Sequence, residues 1–242
     1  MRLLSTIFLI CFGFLALAQI NTDRPTQSFS PHVMPKSGLQ LEAGFLSERP
    51  FKNVDLYNVT YVNALVRYGL SENIELRLTQ NYVGERSLSA INGVSPTTIG
   101  TKIHLHEQTG GLPQIGLIAS VTLTNGDEAF APNESIQDIR LLFQNDLSDK
   151  LTLAYNLGAF WSGSGNAVGV YTVMLGISAS DKMSFFLEPY GFFEKDTPAD
   201  ARFNAGFTYL VNDNFQLDLS GGNALSSLAP DYFVSFGAAV LF

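Results

Sequence analysis

The chain has 242 residues, a formal net charge of −8, a single cysteine and a mean hydropathy of +0.14. That acidity leaves a nucleic-acid role without electrostatic support, and no apolar run reaches the ~20 residues that a helix needs to span lipid. Cys11 lies in an N-terminal apolar run, so the chain beyond it has no thiol for a disulfide framework, a Cys-ligated metal or a Cys nucleophile.

Met1-Arg2 supplies one positive charge, Leu3 to Ala16 an apolar run, and Ala16-Leu17-Ala18 a small-residue site before Gln19. This order predicts a secretory signal, residues 1–18, cut after Ala18. Losing Arg2 with it makes the mature charge −9. Residues 19–38 are proline-bearing and without a period, and residues 39–242 alternate.

The alternating part is a series of hairpins. Four tight turns share a pattern of Ser or Asn, an acid, then Asn or Lys: Leu70 to Leu76, Leu147 to Leu153, Ala179 to Phe185 and Val211 to Leu217. Such residues bond their own backbone and tolerate turn dihedrals. A fifth, longer turn runs from Glu107 to Pro113. Between them lie longer polar links: Pro50 to Asp55, Gly84 to Pro96, Asn125 to Glu134, Ser162 to Ala167, Glu194 to Pro198 and Gly222 to Ala229. Alternating short and long links, twelve strands and an apolar final strand from Tyr232 to Phe242 predict an all-β fold: a single twelve-stranded antiparallel transmembrane β-barrel of the outer-membrane type. A strand of about ten residues rises ~33 Å, and tilted by ~40° it covers the ~25 Å apolar band of such barrels.

The period of two also assigns faces. Ile74, Leu76, Leu78 and Tyr82 oppose Glu75, Arg77, Thr79 and Asn81, and Phe203, Ala205, Phe207 and Tyr209 oppose Arg202, Asn204 and Thr208. An Arg or Lys facing lipid at mid-depth costs ~2–4 kcal/mol, so the charged face must line the lumen. Continuing the alternation turns Glu42, Glu75, Asp138, Glu188 and Asp218 inward with Arg67, Arg77, Lys102, Arg140 and Arg202. Two readings stand: a ladder of neutralised pairs that stiffens a narrow barrel, or a polar constriction that selects a solute. Pro189 predicts a bulge or kink in its strand.

His104 and His106 share the face of Lys102, but a third metal ligand is not identifiable, and neither a metal nor another cofactor is expected. Three histidines and many serines permit a Ser-His pair by chance, yet no nucleophile elbow supports a hydrolase. The loops are mostly acidic, with Glu85, Asp127, Glu128, Glu134, Glu194, Asp196, Asp200 and Asp231. This suits divalent-cation bridging to lipopolysaccharide and disfavours anionic solutes at the mouth.

Thr22-Asp23-Arg24-Pro25-Thr26-Gln27-Ser28, the run Val33 to Phe45 with its Gln40-Leu41-Glu42, and the turn Tyr68 to Arg77 together resemble a family of outer-membrane transporter-like β-barrels associated with a meta-pathway of phenol degradation. The resemblance spans essentially the whole mature chain. It implies a twelve-stranded barrel in the bacterial outer membrane for passive uptake of small organic solutes, including aromatic ones, through a narrow polar lumen. In its light Asp23 and Arg24 belong to an N-terminal segment, 19–38, folded into the lumen as a plug on the barrel 39–242; a free tail is the alternative. The expected partners are outer-membrane lipid and lipopolysaccharide, a small solute, and the barrel-assembly machinery through the strand ending at Phe242. A non-conducting structural or binding barrel and an outer-membrane hydrolase remain as rival functions.

Overall fold

A strand with one apolar and one ionic face needs an apolar surrounding for the first and water or paired charges for the second, and closing the sheet removes its exposed edges. The computed structural model describes residues 20–52, 54–162 and 165–242; the predicted signal, residues 1–18, lies outside them. Strands β1 (Leu39–Arg49), β2 (Tyr57–Ser71), β3 (Ile74–Arg86), β5 (Thr98–His106), β6 (Gln114–Thr122) and β7 (Ile136–Ser148) make one half of the wall. Strands β8 (Leu151–Ser162), β9 (Val168–Ser178), β10 (Met183–Phe193), β11 (Asp200–Asn212), β12 (Phe215–Ala224) and β13 (Tyr232–Leu241) make the other. Neighbours in sequence pair antiparallel, and β1 pairs β13 from Gln40↔Leu241 to Arg49↔Tyr232, which closes a twelve-stranded barrel.

A thirteenth strand, β4 (Ala90–Val94), lies in the stretch expected to be a loop. It pairs with the upper part of β3, from Tyr82↔Val94 to Arg86↔Ala90, while β5 pairs with the lower part. Pro96, which has no N–H, separates the two. Across this break Gln80 Nε2 donates to the Ser95 carbonyl at 2.7 Å, and Thr97 Oγ1 donates to Gln80 Oε1 at 2.7 Å. The far edge of β4 is met by Asp127, whose N–H donates to Val94 O and whose carboxylate accepts the Val94 N–H at 2.7 Å.

Pro189 produces no bulge. Its strand keeps one register along β11 and loses pairing with β9 only between Leu187↔Leu175 and Tyr190↔Thr172. The shared face expected for His104 and His106 is broken by a register shift between them. His104 reaches inward to the Pro31 carbonyl, and His106 is exposed.

The apolar faces form an outer belt that includes Leu78, Leu141, Leu157, Leu187, Leu219 and Phe236. Leu141 is 43% exposed and stands midway along β7. Changing Leu141→Arg is expected to lower folding stability in lipid vesicles by ~2–4 kcal/mol. Equal denaturation midpoints for the two proteins would place this face away from lipid.

Candidate functional site

Residues 20–38 form no strand and run inside the barrel. The Ile20 N–H donates to Asp213 O at the β11–β12 turn. The chain crosses to β8–β10, where the Phe29 N–H donates to Asn156 Oδ1 at 2.6 Å and Asn156 Nδ2 returns a bond to Phe29 O at 3.0 Å. It comes back past β5 and β3, and the Ser37 N–H donates to Gly69 O before β1 begins.

A peptide without secondary structure carries unpaired backbone donors that must be satisfied when buried. Here inward carboxylates of the wall satisfy them. Glu42 accepts the N–H groups of Asp23 and Arg24 at 3.0–3.2 Å. Glu188 accepts those of Gln27 and Ser28 at 2.7–3.0 Å. Glu75 accepts that of Met34 at 2.9 Å. Glu42, Glu75 and Glu188 are fully buried, and so is Lys102.

Side chains of the segment enter the same network. Asp23 Oδ1 accepts from Lys102 Nζ at 2.8 Å, and Asp23 Oδ2 pairs with Arg77 Nη1. Arg67 joins Glu42 and Glu75, each at 2.9 Å, and donates to Asn21 O at 2.7 Å. Burial alone would push the Asp23 carboxyl up, but the charges of Arg67, Lys102 and Arg77 outweigh it and hold the group well below the usual carboxylate range. The stabilisation from this ion is therefore complete above the ordinary carboxylate range and is lost progressively as the pH falls from there toward the depressed value.

Arg24 is held by Asp218, with Nη2 to Oδ1 at 3.0 Å and Nε to Oδ2 at 3.2 Å, and by Ser235 at 3.1 Å. Its guanidinium lies against Gly44 and Gly237, which face each other across β1 and β13, where any Cβ would collide with it. Alanine at position 44, where the nearest atoms are all of the Arg24 guanidinium, is therefore expected to dislodge Arg24. With Thr22→Cys as the only thiol beyond residue 18, maleimide labelling of a protein spanning residues 19–242 should be faster in the Gly44→Ala form, and an unchanged rate would show that the arginine keeps its place.

The ten inward charges predicted from the alternation thus divide by depth. Glu42, Arg67, Glu75, Lys102, Glu188 and Asp218 lie under the N-terminal segment, and Arg77 stands at its upper surface. Asp138 and Arg140 pair with each other in the outer half at 2.7 Å, and Arg202 pairs with Asp200 at 2.6 Å. Neutral residues not singled out beforehand matter as much: Gln216 donates to Thr22 Oγ1, Asn204 to Glu188, and the Ser28 hydroxyl to Thr172. Asn156 and Asn204 had the right parity for this. Phe29, in a segment without periodicity, gave no signal.

Cavities flank the segment on both its turn side and its loop side. One of about 310 Å³ lies on the turn side, against Asn21, Thr22, Gln144 and Gln216. Two of about 290 and 340 Å³ lie on the loop side and share Phe29, Arg77 and Thr79. Arg24, Pro25 and Thr26 line both the 310 Å³ and the 290 Å³ cavities, so this stretch of chain is the partition between the two sides.

Among solved structures, an outer membrane channel from Pseudomonas putida F1 is similar over 90% of this chain and 100% of its own, with a TM-score of 0.73 and 12% identity. The KdgM porin in complex with disordered oligogalacturonate covers 85% of this chain and 99% of its own, with a TM-score of 0.59 and 12% identity. The NanC porin covers 84% and 98%, with a TM-score of 0.60 and 8% identity. At these identities the likeness establishes the fold, an outer-membrane barrel. A comparison with curated proteins returned no match. The model of the family described as "Putative MetA-pathway of phenol degradation" matches residues 22–242, and the chain belongs to that family.

Proposed function

We propose that the protein is a passive channel of the bacterial outer membrane for small organic solutes, narrowed by its own N-terminal segment. The observation that carries this reading is the partition: cavities of about 310 and 290 Å³ on opposite sides of the lumen are separated by Arg24, Pro25 and Thr26. One stretch of peptide, held by side chains and backbone bonds, stands between the outer and inner solutions. In this reading residues 1–18 are the export signal, 19–38 the plug and 39–242 the conduit.

The ten inward charges then have two tasks. Glu42, Arg67, Glu75, Lys102, Glu188 and Asp218 seat the plug with Asp23 and Arg24. Arg77, Asp138, Arg140 and Arg202 meet the solute. The acidic loops suit cation-bridged lipopolysaccharide, and the strand ending at Phe242 suits delivery to the barrel-assembly machinery. In this reading His104 is a structural residue, 3.3 Å from Pro31 O in the plug and 3.1 Å from Glu107 in the turn.

The test is single-channel recording of the refolded mature protein, Gln19 to Phe242, in a planar bilayer. Discrete conductance steps are expected. A silent bilayer, with insertion confirmed by heat-modifiable migration, would favour the second reading, a closed structural or binding barrel. The complete burial of Lys102 and its carboxylate neighbours is the observation on that side.

A further inference from the structure

The inward face repeats one short pattern three times: Glu75-Leu76-Arg77, Asp138-Ile139-Arg140 and Asp200-Ala201-Arg202. In a strand, residues i and i+2 share a face, so each acid stands beside its arginine. Arg77 donates to Glu75 at 2.7 Å, Arg140 to Asp138 at 2.7–3.2 Å, and Arg202 to Asp200 at 2.6–2.8 Å. Each guanidinium also lies by an aromatic ring. Arg77 and Arg140 are each 5.4 Å from the Phe29 centroid, and Arg202 is 5.1 Å from that of Phe192. Phe192 in turn meets Phe160 at 6.2 Å. Arginines and rings thus descend together from the loop end to the partition.

The pairing leaves an imbalance. Both oxygens of Asp138 are committed to Arg140. Arg140 uses Nε and Nη2 for that pair, and Arg77 uses Nη1 for Asp23 and Glu75. Among the described residues this leaves Arg140 Nη1 and Arg77 Nε and Nη2 as donors in search of acceptors. Both arginines line the 340 Å³ cavity, whose walls include Phe29, Phe160 and Ser120 and whose carboxylate is Asp138. Open guanidinium donors on two arginines, with rings alongside, form a site for an oxyanion attached to something flat and apolar.

We propose, resting on the channel reading, that this outer cavity binds a small organic carboxylate, its oxygens on Arg140 and Arg77 and its apolar body between Phe29 and Phe160. The acidic loops oppose an anion at the mouth, but exposed charges more than a Debye length of ~8 Å away are largely screened, whereas a cavity between the rings is not. A neutral hydroxyl compound would leave the guanidinium donors without a charged acceptor and would bind less tightly.

Benzoate and its neutral isostere benzamide separate the alternatives. Ligand-observed NMR titration of the refolded mature protein in detergent at neutral pH should show benzoate bound about tenfold more tightly. The double substitution Asp138→Asn with Arg140→Gln removes the pair without burying a lone charge, and heat-modifiable migration verifies that it folds. In that variant, which keeps Arg77 but loses Arg140, the preference for benzoate should shrink several-fold. No binding of benzoate, equal binding of both by the unmodified protein, or a preference undiminished by the double substitution would each overturn the site. Binding does not require conduction: a barrel that conducts but fails this test keeps the channel reading, and one that passes it in a silent bilayer loses only that reading.

Discussion

Removal of Asn21 to Pro35 is expected to raise single-channel conductance several-fold. The deletion takes away Arg24, Pro25 and Thr26, the stretch that stands between the cavities on the two sides, and so joins them into one water-filled path. The wall should survive. Arg67 keeps Glu42 and Glu75, each at 2.9 Å, and water can solvate Glu188, Lys102 and Asp218 once the peptide is gone. A folded deletion protein with unchanged conductance would mean that the segment does not obstruct the lumen, and the free-tail alternative would return.

Replacing Arg67 by methionine should cost the most stability of any single change in the lumen. Arg67 is 1% exposed and joins Glu42, Glu75 and the Asn21 carbonyl. Its loss leaves the buried Glu42 without a counter-charge and Glu75 with Arg77 alone, a situation that costs about 3–5 kcal/mol. The same change at Arg202, which is partly exposed near the loops and paired with Asp200, should cost less than about 1 kcal/mol. Urea unfolding in lipid vesicles, followed through the single tryptophan, Trp161, measures both. Equal losses would show that depth in the lumen does not set the value of these ion pairs.

The barrel was legible because a period of two has one physical solution when one face is ionic and no soluble core is available. Glu42, Arg67, Glu75 and Lys102 could be placed inward from charge alone. Their partners could not. The carboxylates bind backbone N–H groups of residues 23, 24, 27, 28 and 34, and a backbone donor leaves no mark on the sequence. The glycines under Arg24 resemble any strand glycine until the arginine is seen lying on them. β4 escaped notice because Ala90 to Val94 is too short for alternation to stand out from a polar loop. His104 and His106 misled for the opposite reason: parity was carried through a register shift that local sequence does not announce.

The place where Arg24 rests has a consequence for how the molecule is built. Gly44 belongs to the first strand and Gly237 to the last, and they face one another where the two ends of the sheet join. Asp218 and Ser235 come from the last two strands, and Glu42 from the first. None of these surfaces exists together in an unfinished sheet. Residues 21–28, ahead of every strand in the chain, are thus expected to find their position last, after the cylinder has shut. Protection of these residues from added protease during refolding should follow, and never precede, the appearance of the fast-migrating folded form.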